Sequence, residues 1–194
     1  MKTLHKILAT LLLGAACSGC DLTLIPEDKV TPQTYFQSEV DLRLWTNQFY
    51  TLLDSPDSAS GLNADDMVDK SMGDVISGTR MASDESGWTW TSLRKINYYL
   101  QNSHNCTDEA ARTKYDGVAY FFRAYFYYVK VRRYGDVPWY DTVIGSEEEE
   151  LLKKPREDRG IIMDHVMSDL DDAIDMLPRD KDVARVTRWA ALAF

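Results

Sequence analysis

Cys20 has the clearest chemical prospect in this chain, because of what stands before it. Lys2 and Lys6 make a basic start, Ile7 to Ala16 is a run of apolar or small residues, and Cys17-Ser18-Gly19-Cys20 follows. That order is the order of a bacterial secretory signal. Its apolar core is too short to span a bilayer as a helix, which takes about 20 apolar residues. A cysteine at the cleavage point predicts acylation of its thiol once it becomes the N-terminus. Each buried CH₂ contributes roughly 0.8 kcal/mol, so two or more acyl chains hold a protein almost permanently at a membrane. Cys17, after Gly14-Ala15-Ala16, offers a second register; neither cysteine has a large aliphatic residue three positions earlier. Cys20 is favoured because a polar tether, Asp21 to Thr31, begins directly after it. Cys106 is then the one thiol left, and no internal disulfide can form.

No catalytic or metal-binding constellation is legible in the rest. His104-x-Cys106 offers two soft ligands where a structural zinc needs four. His165 falls inside a predicted helix, where a structural or surface role fits it best. A Gly-x-Ser-x-Gly elbow and a phosphate-cradling glycine loop are both missing. Glycoside cleavage needs two acids held across the sugar bond. Glu147 to Glu150, however, reads as a solvated charge run, and Asp171, Asp172 and Asp175 lie on the polar side of their helix. The expectation is no enzyme, no metal and no cofactor.

Binding remains. The chain carries 11 Tyr, 5 Trp and 6 Phe, and Tyr and Trp join a flat apolar face to a polar tip. Sugar recognition without chemistry needs such faces against the C–H-rich faces of a pyranose, with polar groups for its hydroxyls. Trp88 and Trp90 stand at the exit of a long stretch rich in Ser, Asp and Gly, near Arg80, Asp84 and Glu85. Trp88, Trp90 and Arg80 are therefore the candidate ligand-binding residues; Trp88 is the better candidate of the two tryptophans, since packing as the first apolar residue of its helix is the simpler role for Trp90. A formal net charge of -9, falling to -11 without Lys2 and Lys6, repels phosphate backbones, so nucleic acid is not an expected partner.

The elements that must position these residues are helices. Ser38 can cap a helix with Leu42, Trp45, Phe49 and Leu52 on one stripe. The stretch 54–86 reads as a long loop with one short element near Met67, and loops of that length are often functional. A second helix runs from about Trp90 to Asn102, burying Leu93, Ile96 and Leu100. A third opens at a Thr107 cap and runs to Tyr134, with Gly135 and Pro138 as its stop. Its aromatic content implies burial on more than one side, its tyrosines lying in the core with hydroxyls at the rim. Gly117, Phe121 and Ala124 have the small-x₃-Phe-x₂-Ala spacing of a tetratricopeptide second helix. Gly145 to Glu150 reads as a solvated loop, and Trp139 as the closure of a turn. A fourth helix, about Asp158 to Leu177, turns Ile162, Val166, Leu170, Ala173 and Leu177 inward, and Thr187 opens a fifth.

Several segments together resemble the SusD/RagB family of outer-membrane nutrient-uptake lipoproteins. They are Cys20 with its tether and Val30-Thr31-Pro32-x-x-Tyr35-Phe36; Trp90-x-x-Leu93-Arg94-x-Ile96-Asn97; and Arg123-Ala124-Tyr125 leading to Tyr134-Gly135-Asp136-Val137-Pro138. Asp169-Leu170-x-x-Ala173-Ile174-x-x-Leu177-Pro178 and Arg185-Val186-Thr187 complete the set. The resemblance implies an all-α protein built on tetratricopeptide-like helical repeats, with long loops forming a ligand face. It implies residues 1–19 as signal peptide, 20–37 as acylated N-terminus and tether, and 38–194 as the N-terminal part of a SusD-like helical domain. It further implies a lipid-anchored protein of the cell outer membrane, facing outward, that binds an oligosaccharide or peptide. The partner so implied is a TonB-dependent channel of the SusC type. A periplasm-facing helical-repeat scaffold and a glycan hydrolase are the alternatives. A chain stopping at Phe194, within an apolar helix, is expected to be a fragment of a longer protein.

Overall fold

Ser38 and Asp41 start the first helix by satisfying each other's backbone. The Ser38 hydroxyl accepts from Asp41 N at 3.4 Å, and Ser38 N donates to Asp41 Oδ2 at 3.0 Å, which closes a capping box. Helix α1, Glu39–Asn47, then tightens into a 3₁₀ turn, Gln48–Leu52, and the two bury Leu42 and Phe49. The molecule is seen here in a computed structural model that describes residues 35–53, 63–64, 67–68, 73, 77–79, 81, 87–180 and 184–194. Cys17, Cys20, Arg80, Asp84 and Glu85 lie outside the described residues.

Two-residue strands β1, Asn63–Ala64, and β2, Met67–Val68, pair antiparallel and supply the short element expected near Met67. Helix α2, Thr91–Asn102, buries Leu93 and Ile96 as expected, but Leu100 only in part; Tyr99 is the large side chain fully inside. Helix α3, Glu109–Tyr134, is capped by Asp108 and not by Thr107. Its carboxylate accepts from Ala111 N at 3.0 Å, and Gly135 ends the helix at φ +72°, a conformation that favours glycine. Residues 145–150 are not all loop, since a single-turn helix α4 spans Glu149–Leu152. Helix α5, Arg159–Met176, has Asp158 as its cap and buries Ile162, Val166, Leu170, Ala173 and the following Leu177. Helix α6, Arg188–Ala193, follows Thr187.

Helix α3 is the axis around which the rest is arranged, and apolar residues all round its circumference are buried. Gly117 lets the end of α5 come against it: a Cβ there would lie 2.9 Å from Met176 Cβ and 3.1 Å from Leu177 Cγ. That close crossing is the role of the small residue in a tetratricopeptide-like pair. The other side of α3 carries an aromatic cluster in which Phe49, Tyr50, Tyr99 and Phe122 meet at ring-centroid distances of 4.8–6.1 Å. Phe36 extends the cluster toward Trp45, Tyr98 and Tyr99, its ring fully buried although its backbone is left-handed at φ +57°. The tyrosines of α3 divide. Tyr115 and Tyr127 are buried, with hydroxyls donating to Glu39 Oε1 and Tyr140 O, whereas Tyr125 and Tyr128 are half-buried.

One ion pair lies inside this packing. Arg123 of α3 donates from Nε and Nη2 to Asp169 of α5 at 2.7 and 2.6 Å, with both side chains nearly inaccessible. Burial pushes the Asp169 carboxyl above the usual carboxylate range, against the pull of the guanidinium. Removing one partner strands the other charge out of water, at a cost of about 3–5 kcal/mol. Arg123→Met should therefore lower the urea midpoint strongly, and adding Asp169→Leu should restore much of the loss. Gly117→Val should destabilise independently by about 1–3 kcal/mol through overpacking against α5, measured by the same titration.

Candidate functional site

Gly87 to Trp90 run into the start of α2, and Lys130 of α3 holds them in place. Its ammonium donates to Gly87 O at 2.5 Å and lies 5.1–5.4 Å from the ring centroids of Phe126, Trp90 and Tyr134. Burial, with Arg133 nearby, lowers the pKa of this amine below the ordinary lysine range. The aromatic faces and the carbonyl compensate for part of the lost hydration.

Trp88 stands edge-on to Trp90 at 5.3 Å and to Tyr134 at 4.9 Å, and the Arg156 guanidinium lies 4.7 Å from its ring centroid. It remains 38% exposed, the larger exposure of the two tryptophans. Trp90 is the N-terminal flank of α2, half-buried against Phe126, Tyr127 and Tyr140. Trp90 packs on the core, as the packing expectation has it, and it also lines a cavity. That cavity, of about 570 Å³, has Trp88, Trp90, Arg94, Asn97, Tyr140 and Arg156 around it. Its size falls within the range of small-molecule sites.

The far side of the cavity is an extended segment, 137–144, fixed by hydrogen bonds to its backbone. Asn97 donates from Nδ2 to Tyr140 O and Thr142 O, both at 3.0 Å, and Arg94 Nη1 donates to Ile144 O. Tyr140 N donates to the Tyr127 hydroxyl at 2.6 Å, and Val137 forms an antiparallel bridge with Glu157. Burial raises the Tyr140 and Tyr127 phenols above their ordinary range. Lys154 donates to Trp139 O at 3.1 Å and to Glu157 at 2.6 Å, and this second bond holds the Glu157 carboxyl below its usual value. Trp139 does more than close a turn: it is buried, 4.2 Å from the Tyr127 ring and stacked on His165 at 4.4 Å. His165 thus has a packing role, and Cys106 is fully buried.

Over residues 88–194 the chain matches a SusD-like family model described as "Starch-binding associating with outer membrane". The chain belongs to the SusD-like family. A curated relative, SusD-like protein P25 of Formosa agariphila, is 24% identical over 97% of this chain and 41% of its own length. A solved SusD-like protein from Bacteroides fragilis shares the fold at TM-score 0.62 and 23% identity, over 88% of this chain and 36% of that one. A second solved structure aligns at TM-score 0.60 and 19% identity, over 81% of this chain and 34% of the other. The chain thus spans about two fifths of the curated relative and about a third of the solved ones.

Of the three residues that the sequence singles out for binding, the structure brings Trp88 and Trp90 together at one cavity of this SusD-like fold; Arg80 lies outside the described residues. Arg94, Asn97, Lys130 and Arg156 are not evident from sequence composition. A signal for two of them exists: Trp90, Arg94 and Asn97 are spaced i, i+4, i+7, which places them on one face of α2. Lys130→Ala should release the segment 87–90 from α3. In a Trp88-retaining variant with the other tryptophans changed to Phe, the expected outcome is a red-shifted emission and faster acrylamide quenching. Unchanged emission would show that Lys130 does not position Trp88.

Proposed function

We propose that this SusD-like chain is a binding protein, not an enzyme, which captures an oligosaccharide or peptide nutrient at the Trp88–Trp90 cavity. It then delivers that nutrient to a TonB-dependent outer-membrane channel of the SusC type. The observation that carries this reading is a partly exposed tryptophan, Trp88, lining a preformed cavity, in a chain whose family is described as starch-binding and outer-membrane-associated. Trp88 supplies a stacking face, Trp90 its support, and Arg80, from the preceding loop, a polar contact to the ligand.

In this reading residues 1–19 are removed as a signal peptide, Cys20 (or Cys17) is acylated, and residues 20–37 tether the helical domain 38–194 to the outer membrane. No helix among the described residues is long and apolar enough to cross a membrane. An anchor of this kind confines the binder beside its channel. The effective local concentration then rises into a range where modest affinity suffices.

Trp88→Ala should weaken ligand binding about tenfold, since a well-formed aromatic stack contributes roughly 1–1.5 kcal/mol beyond area. The measurement is a titration of the full chain in detergent with an oligosaccharide panel, with released reducing ends assayed in parallel. Release of reducing ends would point to a hydrolase. Antibody should label intact cells; protein hidden until the outer membrane is broken would favour the periplasmic scaffold.

A further inference from the structure

The cavity beside Trp88 and Trp90 differs in charge from the chain that forms it. The sequence holds 31 acidic against 22 basic side chains, yet the cavity is lined by Arg94, Lys154 and Arg156 and by no carboxylate among the described residues. Lys154 is already neutralised by Glu157 at 2.6 Å. The two guanidinium groups have no such partner among the described residues. Arg94 donates to the carbonyl of Ile144, and Arg156 to the carbonyl of Asp136 at 3.5 Å; neither has a carboxylate within ion-pair distance among the described residues. An Arg beside a backbone carbonyl keeps most of its five donors unused.

Asn97 adds to the same wall. It is 1% exposed, its Nδ2 is spent on Tyr140 O and Thr142 O, and its Oδ1 has no hydrogen-bond partner among the described residues. The bonds from Arg94 and Asn97 tie α2 to the segment 140–144, and the one to Ile144 O tethers the exposed Arg94 side chain at the cavity. Arg156, laid over the Trp88 ring, is held likewise. Two positioned guanidinium groups next to an exposed indole suit a ring that carries its own negative charge. Planar guanidinium donors bind carboxylate or sulfate oxygens in pairs, and such charge-assisted bonds are about twice as strong as neutral ones. A neutral glucan offers them only uncharged hydroxyl oxygens and gains less.

We propose that the cavity takes an acidic oligosaccharide, whose ring carboxylate or sulfate is held by Arg94 and Arg156 while a sugar face stacks on Trp88. This rests on the reading of the Trp88–Trp90 cavity as a sugar site. It narrows that reading to anionic glycans.

The test is native affinity electrophoresis of the full chain in detergent, through gels containing polygalacturonate, dextran sulfate, amylose or polyglutamate. Retardation by polygalacturonate, dextran sulfate or both, at least about tenfold stronger than by amylose, is the expected result, and it should weaken as NaCl rises toward about 0.5 M. A chain of net charge -9 has no general affinity for polyanions, so retention there is specific. Arg94→Gln and Arg156→Gln, each checked for an unchanged circular-dichroism melt, should each weaken retention by about tenfold, and Trp88→Ala should weaken it as well. Amylose bound as tightly as the acidic glycans, with Trp88→Ala weakening it and the arginine variants inert, overturns the anionic inference and leaves the sugar site standing. Retention by polyglutamate alone, or by none of the four polymers, overturns both.

Discussion

The Arg123–Asp169 ion pair is the interaction on which the site's geometry rests. Two opposite charges out of water cost several kcal/mol of desolvation each, and this is offset only when the bonds between them are short and paired. Here both bonds are, at 2.7 and 2.6 Å, and they form at the register of α3 against α5 that the structure shows. The guanidinium also faces Trp139 at 5.5 Å, and Trp139 stacks between Tyr127 and His165. Tyr127 in turn holds Tyr140, whose segment forms the far side of the cavity. A buried pair that does not itself line the cavity thus sets where the backbone along its far side lies.

The near side has a separate support of the same kind. Lys130 is a buried cation on α3 with a carbonyl and three aromatic faces for company, and it fixes Gly87 just ahead of Trp88. Both sides of the cavity are accordingly referenced to α3. Trp88 and Trp90 stand on the segment that leads into α2, yet a cation of α3 fixes where that segment lies.

Much of this was legible in the sequence, for stated reasons. The stripes of α1, α2 and α5 follow the 3.6 period, and their buried positions match it at Leu42, Ile96, Val166 and Ala173. Gly117, Phe121 and Ala124 read as a close helix crossing, and the structure has it. The cap of α3 was misplaced by one residue because Thr107 and Asp108 are both good caps, and only geometry chooses between them. Single-turn α4 was invisible because four residues carry no period. Asp169 escaped the core stripe because a carboxylate reads as polar until its partner, 46 residues away, is known. Arg156 was out of reach for the same reason: its place over Trp88 depends on the path of 137–157, which no local pattern records.

Phe36 has a consequence for what evolution can do with this chain. Its backbone sits at φ +57°, where β-branched side chains clash, while its ring fills a slot between Trp45, Tyr98 and Tyr99. Gly or Asn would relax the main chain but empty the slot; Ile or Val would fill part of the slot but strain the main chain. Few residue types meet both demands, so position 36 is a place where neutral drift should stall and an aromatic should persist while its neighbours turn over.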